Sequence, residues 1–395
     1  MHDAHLKTTY LLKEEIKELY LTSAIHSFAI ALVAIFIPIF LLQSGFSLVQ
    51  VVIYEIIHYA LAAVSAYFAM KYASKNGVKH SMIISIPFFI VFFLMLYNSQ
   101  ILLQYLDKYV FLILLSLFTA ISGAYYWMGW HIEFAKFSEK KSAKQIGVIN
   151  IISTMMSVIG PLTGAFIIIT FGFLPLFVLV IILLCISMFP LFMSKDYHVP
   201  IEFKMDKLFK LKEIKSSLPY IGEGFEQIAV SIFWPVLLYL LFISLESIGG
   251  LYALSNAILV MVTFYLSRKI NIFNRYKLMR LGAYTHSLTL MLRVFFKAVY
   301  AIFIVQGLGA ITWVFLDLPF RSLFYDISKQ KGVIWTVFYR EIYLNIGRVL
   351  SFIILLVLLS FFTEINALIM TIIISGVIML SMMLLGKKIT FMENS

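Results

Sequence analysis

Long apolar runs, each bounded by a short polar or basic break, follow one another from residue 20 to residue 386. A run of about 20 such residues is what an α-helix needs to cross a hydrocarbon core, and in lipid a helix satisfies all its own backbone groups. The runs fall at 20–42, 48–72, 79–98, 109–132, 146–170 and 173–193, then at 218–243, 247–267, 278–296, 298–323, 334–362 and 365–386. The expected fold is an all-α polytopic membrane protein, with 12 transmembrane helices in two pseudo-symmetric six-helix bundles. With 62% hydrophobic residues, a soluble chain would expose more apolar surface than water tolerates.

The net charge of +11 would point to nucleic acid in a soluble protein. Here the basic residues sit between the apolar runs, where they set orientation in the bilayer, so no nucleic acid partner is expected. One side of the membrane collects Lys71, Lys75 and Lys79, Lys136, Lys140, Lys141 and Lys144, Arg268 to Arg280, Arg321, Lys329 and Lys331, and Lys387 and Lys388. The other side has Lys108, Arg293 and Lys297. Positive loops stay in the cytosol, so both termini are expected there, in the cytoplasmic (inner) membrane. Residues 5–18 read as a short helix lying on the membrane, followed by a retained first span and not a cleaved signal. The break at 194–217, with Lys204, Lys207, Lys210, Lys212 and Lys215 alternating with apolar residues, reads as an amphipathic linker at the headgroups. It divides the chain into bundles at 1–193 and 218–395. Cys185 is the one cysteine, which excludes an intrachain disulfide and a cysteine-based metal cluster; no metal or cofactor is expected.

The halves echo each other. Gly123, Ala124 and Trp127 return as Gly309, Ala310 and Trp313; Gly147, Val148 and Ile149 return as Gly332, Val333 and Ile334; Ile35, Phe36 and Pro38 return as Ile232, Phe233 and Pro235. Twelve spans, a central basic linker and a parallel repeat make the chain resemble the major facilitator superfamily of secondary transporters over essentially its whole length. The family's loop motif between helices two and three survives in part as Lys75, Gly77 and Lys79, with Ser74 in place of the aspartate and Met70 in place of the leading glycine. Its helix-five motif, typical of antiporters, is matched by Gly147, Gly160, Pro161 and Gly164, with Met156 and Ala165 in place of two glycines. The tail of the helix-four motif stands in the second half, as Gln306, Gly307, Gly309 and Ala310. Its arginine is replaced by Leu117 and Phe303, which weakens the case for the usual proton-coupling scheme. The strings around His131 and Arg340 are similar to a bacterial branch of the superfamily.

The resemblance implies that the first and fourth helices of each half line a central cavity. Candidate substrate contacts are then His26 on span 1, Trp127 and His131 on span 4, Glu223 and Glu226 on span 7, and Trp313 and Asp317 on span 10. A charge at mid-membrane costs at least about 2.5–3.5 kcal/mol, so each acid needs a partner or a wet cavity; structural pairing is the rival to a substrate role. The histidines are candidates for proton exchange, or hydrogen-bonded packing residues. At about 1.5 Å per residue, Arg340 and Glu341 lie about 9 Å from the membrane surface, as a gate or, preferably, a brace, and Arg348 lies about 21 Å deep. Glu226, Asp317 or an anionic solute would be the counter-ion of Arg348. Glu55 and His58, three apart on span 2, form either a local pair or a relay. Trp127 and Trp313 either stack on solute or sit at the interface. Gly160 and Gly164 suit close helix packing, and Pro161 should bend its helix.

The expected function is secondary active transport of a small organic solute by alternating access, with export by antiport somewhat favoured by the helix-five glycines. Nutrient import or uniport is the near alternative, and a non-transporting sensor or scaffold a further one. An enzyme is not expected: HExxH, GxSxG and P-loop motifs are absent, and the HxE of His131 and Glu133 lacks the cysteines of a zinc deaminase. The lipid bilayer is the surrounding partner, a proton or another ion is the candidate coupling partner, and a monomer is expected.

Overall fold

The computed structural model describes residues 2–137, 142–193, 195–196, 211–269, 274–296 and 298–385, without the side chains of 2–16, 136–153 and 211–215. Eleven helices among these are long and apolar enough to cross a membrane: Lys17–Gln43, Leu48–Asn76, Val78–Tyr97, Lys108–Ala135, Thr154–Phe171, Phe173–Phe192, Ser216–Leu240, Leu245–Lys269, Val299–Lys331, Val333–Leu359 and Glu364–Leu384. The twelfth, Arg275–Leu292, carries Arg275, Lys277 and Arg280 in its first two turns and is less apolar. In chain order these are spans 1 to 12, two bundles of six. Span 2 packs on span 11 and span 5 on span 8 to join the bundles; in the first half span 4 packs on spans 2 and 3, and span 1 on spans 5 and 6. The outer faces present Val64, Phe68, Phe166, Phe171, Met261, Phe264, Tyr284 and Leu288, side chains that only lipid would cover.

Local chemistry sets where helices start and bend. Ser47 opens span 2 with a capping box: its hydroxyl accepts from Gln50 N at 3.2 Å, and its own N–H donates to the Gln50 side chain at 3.0 Å. Asn274 caps span 9 by accepting from the backbone N–H groups of Tyr276 and Lys277. Pro38 and Pro235, the repeat-related prolines, cannot donate to the turn before them. Span 1 answers with a 3-10 turn at Ala34–Phe36, span 7 with a π-turn at Ala229–Phe233.

Close helix contacts sit on glycine. A Cβ on Gly164 would stand 1.9 Å from the carbonyl oxygen of Leu32, and one on Gly160 would stand 2.5 Å from the Ala31 Cβ, so spans 1 and 5 touch backbone to backbone. Gly249 of span 8 likewise approaches the Pro161 carbonyl oxygen, and across the same seam Asn256 donates at 2.7 Å to Ser157 O, the carbonyl that Pro161, lacking an N–H, leaves unserved within the helix.

Several boundaries differ from the sequence expectation. The first helix runs unbroken from His2 to Ala31, so residues 5–18 continue into span 1 and are not a separate surface helix. Span 10 continues to Lys331, which puts Arg321 inside the helix and not in a loop. Arg293, expected among the loop charges of the second side, is only 2% exposed and points into the second bundle. The linker lysines, the basic residues at 136–144, Lys297 and Lys387–Lys388 lie outside the described side chains, as does Gly147.

Candidate functional site

A cavity of about 290 Å³ opens at mid-height between the bundles. Its walls come from the broken part of span 1 (His26 to Pro38), span 2 (Tyr54 to Ala66), span 3 around Phe89, span 4 (Thr119 to Trp127), Ser231 and Ile232 of span 7, and Glu341, Asn345 and Arg348 of span 11. Irregular backbone at membrane depth is tolerated where it lines such a space, which is where the turns before Pro38 and Pro235 stand.

Arg348 supplies the cavity's permanent positive charge. Its Nη1 donates to Asn345 Oδ1 at 2.9 Å, its Nη2 donates to Gln227 Oε1, and its guanidinium lies 5.0 Å from the centre of the Tyr59 ring. Its Nε has no hydrogen-bond partner among the described residues. The partners are therefore two neutral amides and an aromatic face, not the Glu226 or Asp317 that depth alone suggested. On span 2, next to Tyr59, Glu55 and His58 are joined at 3.0 Å, and His58 stacks on Tyr59. His26 lies flat on Tyr126, ring centres 3.6 Å apart, with its Nε2 unpartnered among the described residues. Trp127 stands edge-on to both, 43% exposed on the cavity.

Toward the end of the bundle that carries the chain termini, a buried polar layer closes the space. Arg340 Nε donates to Glu223 Oε2 at 3.1 Å, Nη2 donates to the other oxygen of Glu223, and Nη1 donates to Glu341 Oε1 at 2.7 Å. The same Nη1 meets His131 Nε2 at 3.2 Å, across the two bundles. An arginine has only donors, so His131 Nε2 accepts, the ring is the neutral Nδ1–H form, and Nδ1 donates to Tyr325 Oη at 2.7 Å. Phe134 and Phe324 pack against Tyr325 around it.

Asp317, Glu226 and Trp313 stand away from the cavity, inside the second bundle. Asp317 accepts from Arg321 Nε at 2.7 Å one turn on. Glu226 bonds His286 at 3.1 Å, and Trp313 packs 5.2 Å from the same imidazole. The physical reason is helix rotation: Glu226 and Gln227 are neighbours about 100° apart on span 7, so only one can reach Arg348 on span 11, and it is Gln227.

The loop between spans 2 and 3 holds a further cluster. Gly77 has φ +110° and ends span 2; a Cβ there would fall 2.1 Å from a carboxylate oxygen of Asp196. That carboxylate, from just after span 6, accepts from the backbone N–H groups of Lys79 and His80 at 3.0 and 2.9 Å, at the positive end of span 3. Lys79 is buried and ion-paired to Glu18, while Lys75 is exposed. Ser74 stands where the family motif has its acid, and Asp196 brings a carboxylate to this corner from a distant part of the chain.

Residues the sequence reading passed over are Gln227 and Asn345, which hold Arg348, Tyr59 beneath it, and His286. Asn345 was signalled by its spacing, three residues before Arg348 on one helix face. His286 stood within an apolar run as an intramembrane titratable group.

The Major Facilitator Superfamily profile matches residues 19–350. A curated relative, the uncharacterized protein YqgE of Bacillus subtilis (strain 168), is 22% identical over 355 residues, 86% of this chain and 81% of its own length. Among solved structures, a variant of the E. coli fucose:proton symporter FucP superposes with a TM-score of 0.68 at 12% identity, covering 93% of this chain and 97% of that one. FucP in the outward conformation gives 0.65 with the same coverage, and the human organic anion transporter MFSD10 (TETRAN) gives 0.63 at 10% identity over 94% and 99% of the two chains. At these identities the structures testify to the fold alone, while the profile spans most of the chain. The chain belongs to the Major Facilitator Superfamily of membrane transporters.

Proposed function

We propose that this protein moves a small organic solute across the cytoplasmic membrane, as a monomer with both termini in the cytosol, by exposing the mid-height cavity to one side at a time. The observation that carries the reading is the pairing of that cavity with a fully buried polar layer on its terminus-bearing side. Such a layer is a gate: His131 of the first bundle is held by Tyr325 and Arg340 of the second, where Glu223 and Glu341 anchor the guanidinium, and these crossings can part only if the bundles tilt. In the state described here the terminus-bearing side is shut, and solute would enter from the opposite side. The solute contacts are His26, Trp127, Tyr59 and Arg348, with Glu55 and His58 beside Tyr59 on span 2. His131, Glu223, Arg340 and Glu341 act in the gate; Glu226, Trp313 and Asp317 support the second bundle. Gly160, Pro161 and Gly164 hold spans 1 and 5 in contact as one moving unit, and Lys75, Gly77, Lys79 and Asp196 tie the corner where span 2 turns into span 3.

The test is a thermal-shift screen of the purified protein against a metabolite and drug panel, followed by uptake of each hit into vesicles containing the protein. A ligand at 100 times its Kd stabilises the folded form by about 2.7 kcal/mol, an easily read shift. A hit should raise Tm in the native chain, lose that effect in Arg348→Gln and Trp127→Ala, and enter loaded vesicles by exchange. Binding that ignores both substitutions, with no protein-dependent flux, would point instead to a sensor or scaffold.

A further inference from the structure

Among the described residues, Arg348 is the charged group of the cavity wall that no acid serves. Its acceptors are Asn345 Oδ1 at 2.9 Å and Gln227 Oε1, both neutral amides. A guanidinium has five N–H donors and two are spent on these amides, which leaves three, Nε–H included, without an acceptor. The acids that share the cavity are bound elsewhere: Glu55 Oε2 to His58 at 3.0 Å, and Glu341 Oε1 to Arg340 at 2.7 Å. A cation at membrane depth calls for a counter-charge or a wet cavity, and here the counter-charge has to come from outside the chain.

The wall contributed by the first bundle is aromatic. His26 lies flat on Tyr126, Trp127 stands edge-on to both, and Phe89 meets the His26 ring edge-on at 5.8 Å. Tyr59 carries this surface across to the guanidinium. The two parts of the cavity therefore call for different chemistry and stand on different bundles, Arg348 on the second and the rings on the first.

We propose that the solute is a singly charged aromatic carboxylate, with its carboxylate on the spare donors of Arg348 and its ring against Trp127 and His26; this rests on the transport reading and names its substrate class. The planar fork of an arginine matches a carboxylate through two parallel hydrogen bonds. One guanidinium balances one negative charge, whereas a phosphate monoester, at about −1.5 to −2, would press its surplus charge against Glu55 and Glu341. A cavity of about 290 Å³ holds about ten water-sized groups at about 30 Å³ each, which suits an acid with a single ring. With its carboxylate on span 11 and its ring on spans 1 and 4, such a solute ties the two bundles together. A solute with only one of these ends would hold only one bundle.

The experiment is a matched ligand series on the purified full chain, read by thermal shift and titration calorimetry. The probes are phenylacetate, its neutral isostere phenylacetamide, the cation phenethylamine, cyclohexylacetate, phenyl phosphate and acetate. Phenylacetate should raise Tm and bind at least about tenfold tighter than phenylacetamide or phenethylamine, the worth of one hydrogen bond to a charged group. Cyclohexylacetate should bind about threefold to tenfold more weakly than phenylacetate, because it lacks the ring pairing. Acetate and phenyl phosphate should be weaker still. Arg348→Gln should erase the preference for phenylacetate over phenylacetamide, a selectivity that a merely structural arginine would not set. Equal or tighter binding of phenylacetamide or phenethylamine overturns the proposal, as does a preference that persists in Arg348→Gln. So does the lack of any shift from phenylacetate at about 10 mM, where a ligand of about ten non-hydrogen atoms should be well bound. If Arg348→Gln does not fold, the series on the native chain decides. Binding is read without flux, so the outcomes separate. Protein-dependent flux of neutral or cationic solutes without the carboxylate preference removes the substrate class and leaves the transporter; the preference without flux of any solute removes the transport reading and leaves a carboxylate-binding protein.

Discussion

Arg340 gives one guanidinium to three acceptors on three helices, and its removal would strip Glu223, which is 1% exposed, of its ion-pair partner. Breaking one member of a buried ion pair costs about 3–5 kcal/mol, so Arg340→Gln should lower thermal stability in detergent more than any exposed arginine substitution. Arg340→Lys should restore little, because a single ammonium cannot serve both oxygens of Glu223 as the planar fork does. A wild-type Tm in Arg340→Gln would contradict the pairing. At the corner between spans 2 and 3, Asp196→Ala removes the acceptor of two backbone N–H groups, a cap-like loss of about 1–2 kcal/mol. Sequence alone placed Arg340 and Arg348 on one helix, eight residues apart. It did not disclose their partners. Arg340 meets Glu223 across 117 positions of chain, and Gln227 takes the place beside Arg348 that Glu226 was expected to hold, through helix rotation, which apolar spans with weak polar faces leave undetermined.

Spans 1 and 7 carry the repeat into three dimensions: each bends just before its proline, one by tightening its turns and the other by loosening them. The repeat was legible in the residues, since Ile35, Phe36 and Pro38 match Ile232, Phe233 and Pro235 in identity, but the two different turns were not. The length of span 10 was not, because Arg321 looked like a loop charge until Asp317 was found to hold it one turn away. Glycines divide into those that admit a neighbour and those that do not. Gly164→Ala would press a methyl into the Leu32 carbonyl and should cost about 1–3 kcal/mol by overpacking, read as a lower Tm. Gly123→Ala meets nothing within 4 Å and should be neutral or raise stability by up to about 1 kcal/mol through helix propensity. Equal losses at the two sites would contradict the backbone contact between spans 1 and 5.

Across the whole molecule, two bundles meet along spans 2 and 11 and spans 5 and 8, and the cavity lies between those seams. The six-plus-six architecture followed from apolar run lengths, since lipid permits few other folds. Alternation between bundles did not, because it depends on which polar groups cross the seam. The link of His131 to Arg340 and Tyr325 is such a crossing, and it must break for the terminus-bearing side to open. Spin labels at Asn76→Cys and Lys331→Cys, both exposed and one on each bundle, placed in a Cys185→Ser background, would follow that opening by electron–electron distance measurement. Two interconverting distance populations are expected, the longer one enriched when Arg340→Gln weakens the gate. One unchanging distance in both backgrounds, with and without a solute identified by the binding screen, would contradict alternating access.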